Sequence, residues 1–74
     1  MIIKVTENCL TQDENEKEFY ALRVYEYETN KNTFKEAVID LETNWNSDNV
    51  LSSEDEFEGD CLDSSVIKVE IIEQ

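Results

Sequence analysis

The spacing of apolar side chains divides this chain into a few short elements. Ile2 to Thr6 alternates, with Ile3 and Val5 on one side and Lys4 on the other, the period of a half-buried strand. A polar, mostly acidic connection follows over residues 13–18. The stretch from Phe19 to Glu28 is rich in aromatic and branched residues and predicts a second strand. Period two there puts Tyr20, Leu22 and Val24 on one side, with Phe19, Ala21, Arg23, Tyr25 and Tyr27 on the other. Its Glu, Leu, Arg and Ala content also tolerates a helix. Tyr25 and Tyr27 are then either half-exposed contact residues or the cover of the sheet's second face.

Thr29-Asn30-Lys31-Asn32 has the composition of a turn. Thr33-Phe34-Lys35-Glu36 then matches a capping box, in which the Thr and Glu satisfy the free N–H groups of a helix start. Phe34, Ala37, Val38, Leu41 and Trp45 follow at offsets 0, 3, 4, 7 and 11, one helical face. The spacing predicts a helix over 34–45 with Glu36, Asp40 and Glu42 outward and Trp45 in the core. Ser53-Glu54-Asp55-Glu56 forms a second capping box, with acids suited to the positive end of a helix dipole. It predicts a short acidic helix or loop over 54–62 with Phe57 and Cys61 inward, shortened or made irregular by Gly59. Residues 65–73 read as a closing strand, Ile67, Val69 and Ile71 inside and Lys68 and Glu70 outside. The expected fold class is α+β, a single domain over residues 1–74. It comprises an antiparallel sheet of about three strands, one packed helix, and a short acidic helix or loop, with the two terminal strands near the sheet centre.

Composition supports folding. The 74 residues are 39% hydrophobic, with seven aromatics, one Gly and no Pro, unlike acidic disordered segments. A chain this short buries only about 60% of its unfolded surface, so stability is marginal. No run is long and apolar enough for a membrane span, and no signal-peptide pattern precedes the first strand. A cytoplasmic protein with reduced thiols is the expectation. Cys9 and Cys61 read as small buried hydrophobes, and whether they meet is open.

Charge changes the picture most. Glu36 to Ile67 contains ten carboxylates and no Lys or Arg, while the rest of the chain holds nine acids and all six bases. With a net charge of −13, this is a strong field of one sign on a small body, and it points to a basic partner. The chemistry available is narrow. With no His, Ser-His and Cys-His pairs are impossible, and a single Gly excludes phosphate-cradling loops. Carboxylate pairs alone support glycosidase-type catalysis, but so small a chain has little room for the closed pocket that would tune them, and a noncatalytic protein is expected. As a calcium loop the acidic run fits poorly. With Gly59 at the sixth position, Glu54, Glu56 and Glu58 occupy the first, third and fifth, but Ser65 stands where a bidentate Glu is needed. No metal or cofactor is implied.

Mimicry of a nucleic-acid backbone fits better. Duplex DNA carries a charge about every 1.7 Å of axis, and carboxylates one helical turn apart lie about 5–6 Å from each other. Asn44-Trp45-Asn46, the acidic segment from Ser53 through Asp60, and the closing Ile67-Lys68-Val69-Glu70 together resemble small acidic inhibitors encoded by phages, including anti-CRISPR proteins and other DNA mimics. The resemblance covers about 25–30 residues, is mostly compositional and carries no invariant motif. It implies occlusion. Arg and Lys that read the PAM duplex or hold nucleic acid in a CRISPR effector nuclease would instead bind Glu54, Asp55, Glu56, Glu58, Asp60 and Asp63, with Glu36, Asp40 and Glu42 extending the footprint. Reversal of Glu54, Asp55 and Glu56 to Lys is then expected to abolish inhibition and leave the fold intact. The alternatives are an immunity-type or accessory module that neutralises another basic protein (a toxin, nuclease or DNA-repair or restriction enzyme), and a calcium-dependent adaptor.

Overall fold

The computed structural model describes all 74 residues. It comprises strands β1 (Ile2–Gln12) and β2 (Glu18–Glu28), helix α1 (Phe34–Thr43), a 3-10 turn Ser47–Asn49, and strands β3 (Val50–Asp55) and β4 (Asp63–Glu73). The strands form one antiparallel sheet in the order β3-β2-β1-β4. This overturns the expected α+β domain of about three strands: the sheet has four, and 53% of the chain is strand.

Two departures account for the difference. β1 continues six residues beyond Thr6 because Cys9 and Thr11 keep the inward phase of Ile3 and Val5, and both are fully buried. It pairs with β2 over its whole length, from Ile2 opposite Glu28 to Gln12 opposite Glu18. The hairpin turn is held by Asp13, whose Oδ1 accepts hydrogen bonds from the N–H groups of Asn15 (2.8 Å) and Lys17 (2.9 Å). The second departure is at Ser53-Glu54-Asp55-Glu56. No helix forms there, and residues through Asp55 add a fourth strand to β2, Tyr25 opposite Ser53 and Arg23 opposite Asp55. Phe57 and Cys61 are the half-buried side chains of the following loop, too few for a helix to bury. Long-range pairing therefore outweighs the local capping signal.

The first capping signal does start a helix, through its Thr. The Thr33 Oγ1 accepts from the Glu36 N–H at 3.2 Å and its hydroxyl donates to Glu36 Oε1 at 3.1 Å. The helix ends at Thr43, so Trp45 lies just past it, and Phe34 is 41% exposed at its start. Ala37 and Leu41 carry the packing. They close a core with Ile3, Val5, Tyr25 and Tyr27, against which Met1, Val50 and Val69 also rest. Full burial of a side chain of this size contributes roughly 1.5–3 kcal/mol. The two tyrosines are thus core residues, not contact residues. Tyr27 is fully buried, accepts the Asn46 N–H at 3.0 Å, and stacks on Trp45 with ring centroids 6.4 Å apart. Trp45 itself is half exposed.

α1 covers only the half of the sheet around Ile3 and Val5. The other half of the same face lies under the loop that joins β3 to β4. That loop is tied down by the Glu56 N–H donating to Leu22 O and the Leu62 N–H to Leu10 O. Gly59 has φ +103°, a left-handed conformation suited to glycine, and sits close to Thr11. β4 is an edge strand, not the central one expected. A bulge between its pairings to Thr6 and Glu7 leaves Ile67 extra, and Ile67 and Ile71 are largely exposed. Only Val69 of the expected inner row packs against the core.

Candidate partner-binding site

The fold collects carboxylates at one end of an elongated body whose extents are 45 × 19 × 19 Å. The β1–β2 turn brings Asp13, Glu14, Glu16 and Glu18 there, and the β3–β4 loop brings Glu56, Glu58 and Asp60, with Lys17 the one base among them. Gln12, Asp13, Glu14, Phe19, Glu56, Phe57, Glu58 and Gly59 surround an open hollow of about 700 Å³. Two aromatic rings thus lie within a rim of four carboxylates. The whole protein has only two ion pairs, Arg23–Asp55 and Lys68–Glu70, so no carboxylate of this acidic end is matched by a cation.

The structure does not bring all nine sequence-derived residues together. Glu56, Glu58 and Asp60 stand at the acidic end, and Asp63 opens β4 nearby, paired with Leu10. Glu54 projects from the opposite side of β3 to Asp55 and lines a shallow hollow with Lys4 and Glu26. Asp55 is already engaged: Arg23 Nε and Nη2 donate to its two carboxylate oxygens at 2.8 and 3.1 Å. That fork lowers the Asp55 pKa and raises that of Arg23, each shift caused first by their hydrogen bond. The Arg23 guanidinium also lies 5.5 Å from the Phe57 ring centre, a cation–π contact that seats the loop.

Glu36, Asp40 and Glu42 ride on α1, over the other half of the sheet. Along β1 the separation between Val5 and Thr11 is about 20 Å at the usual strand rise. Asp40 is a structural acceptor there. It takes the buried Thr29 hydroxyl at 2.8 Å and the Asn44 side-chain amide at 3.3 Å. Glu36 belongs to the cap. Glu42 lines a groove with Glu7, Arg23, Tyr25 and Trp45.

In the sequence pattern Asp13, Glu14, Glu16 and Glu18 form only a connection. The signal for their placement is the length of the hairpin. Once β1 and β2 pair to Gln12 and Glu18, the turn must sit at the sheet end where β3 hands over to its loop.

The two cysteines are free and adjacent. Burial first, and then the hydrogen bond with Cys61, push the Cys9 thiol up to about 12, so it is protonated and unreactive at neutral pH. No three carboxylate or thiol side chains converge in a way that would hold a metal ion, and no helix is long and apolar enough to cross a membrane. No protein family, curated protein or solved structure matches this chain.

Proposed function

We propose that this chain is a noncatalytic acidic protein that occupies the nucleic-acid-binding surface of a basic partner through its acidic end. The observation that carries this reading is the convergence of two separate loops, seven carboxylates between them, on one end of the body with no cation paired to any of them. Seven unpaired acids within a small end repel one another, a cost to folding that is relieved when a basic surface closes over them. The hollow adds shape. A partner's Arg has a flat guanidinium that stacks on an aromatic ring and forks onto carboxylates. Phe19 and Phe57 within the rim of Asp13, Glu14, Glu56 and Glu58 supply both partners.

The most specific form of the proposal is the anti-CRISPR type that the sequence resembles, acting in a bacterial cytoplasm on a CRISPR effector nuclease and blocking its access to DNA. In this form Glu56, Glu58 and Asp60, joined by Glu14 and by the Asp13 carboxylate oxygen that the hairpin turn does not use, take the place of backbone phosphates. Asp55 and Asp40 hold the fold instead. Affinity capture from a bacterial lysate containing a CRISPR effector, at low and at high salt, tests it. Salt-sensitive recovery of the effector, lost when Glu56, Glu58 and Asp60 are changed to Lys, supports the reading. Recovery of a toxin or another nuclease instead points to the immunity-type module, and recovery of the effector by the reversed variant overturns the assigned surface.

A further inference from the structure

The two edges of the sheet differ sharply. β3 is six residues long and carries Glu54 and Asp55, features that protect an edge from pairing. β4 is eleven residues long, its outer backbone groups are unpaired in the fold, and Val66, Ile67, Ile71 and Ile72 are 44, 58, 40 and 46% exposed. Between its bulges at Ile67 and Ile72 this edge is a regular stretch that can template another strand.

We propose that β4 pairs antiparallel with β4 of a second copy of this chain, about a two-fold axis at Val69, to form a continuous eight-stranded sheet. The occupant is argued from charge and register. With the axis perpendicular to the sheet, each residue of the regular stretch between the bulges at Ile67 and Ile72 meets a partner residue that faces the same side. Centring on Val69 sets Lys68 of each copy opposite Glu70 of the other, two opposite-charge pairs. Centring on Lys68 sets lysine against lysine, and centring on Glu70 sets glutamate against glutamate, both destabilising. Within one chain Lys68 and Glu70 already lie 3.5 Å apart on the same face, so in the dimer the four charges alternate in sign around the axis. β4 thus has a lysine on its edge that discourages foreign strands and a glutamate two residues on that makes the strand complementary to itself. The antiparallel arrangement puts the two acidic ends at opposite extremities of the dimer and both copies of α1 on one face.

Sedimentation equilibrium of the full chain tests this, with circular dichroism to show that each variant is folded. The expected result is a dimer for the wild type. Lys68→Glu and Glu70→Lys each weaken association about tenfold, and the double exchange restores it, because swapping both signs recreates the pairing. Amide exchange across β4 slows as protein concentration rises. A wild type that stays monomeric at every concentration overturns the proposal, even if β4 then accepts a strand from another protein. So does a dimer indifferent to the single reversals, or one that the double exchange fails to restore.

Discussion

Arg23 and Asp55 face each other across β2 and β3 and are joined by two hydrogen bonds of 2.8 and 3.1 Å. The only arginine of the chain is spent on fixing a strand that local sequence codes as a helix start. Asp55→Asn keeps the shape and removes the charge. It is expected to cost about 1 kcal/mol at pH 7, since both partners remain partly solvated. The sign with pH follows from the lowered Asp55 pKa. Stability from this carboxylate is present above the ordinary Asp value of about 3.9 and is lost as pH falls through the lower folded value. Urea midpoints of wild type and variant should therefore differ at neutral pH and converge in strong acid.

At the alkaline side Cys9 and Tyr25 act in the other direction. Burial is the first cause of both shifts, which take Cys9 from 9.0 to about 12 and Tyr25 from 10.0 to about 12. The unfolded chain releases these protons first, so stability that is complete below pH 9 declines as pH rises toward 12. Cys9→Ala is expected to lower stability at pH 7 and to make the alkaline decline shallower, read from thermal midpoints across that range. In the native wild type, a thiol reagent should label half-buried Cys61 well before Cys9.

Tyr27 joins the core to the loop after α1 by accepting the Asn46 N–H. Tyr27→Phe leaves that donor without its partner and should cost about 1–2 kcal/mol. Tyr27→Ala also opens a cavity between Ala37, Leu41 and Trp45 and should cost about 3–5 kcal/mol. Denaturant unfolding measures both, and Trp45 fluorescence should shift in the alanine variant because its stacking ring is gone.

Thr11 is fully buried, and its hydroxyl has no hydrogen-bond partner. Thr11→Val replaces the hydroxyl with a methyl of similar size in an edge of the core near Gly59. The variant should be as stable as the wild type or up to about 1 kcal/mol more so, since a buried unsatisfied polar group is removed. A loss of more than that in urea unfolding would show the hydroxyl to be engaged.

What the sequence made legible was local. The Thr33-to-Glu36 cap, the 3.6-residue spacing of Ala37 and Leu41, and the alternation of Ile3 with Val5 and of Tyr25 with Tyr27 each depend on neighbours within a few positions. What it concealed depended on distant ones. Glu7 and the outward Leu10 interrupt the inward pattern of β1, so its second half is defined by pairing with β2 and not by local alternation. Ser53 to Glu56 satisfies a helix-start pattern and still forms a strand, because Arg23 waits on β2. The acidic site shows the same division. Its β3–β4 half was readable as a run of charge, whereas the turn acids join it only through the hairpin register, and Asp55 and Asp40 drop out because Arg23 and Thr29 claim them.

The most direct measurement is competition between this chain and duplex DNA for a purified CRISPR effector nuclease, followed by DNA-binding anisotropy over a salt series. The wild type should displace the DNA, with affinity falling steeply as salt rises. The variant with Glu56, Glu58 and Asp60 changed to Lys should stay folded and fail to compete, whereas Glu36→Lys on α1 should compete as the wild type does. Undiminished competition by the triple variant, or no salt dependence in the wild type, would contradict binding through the acidic end.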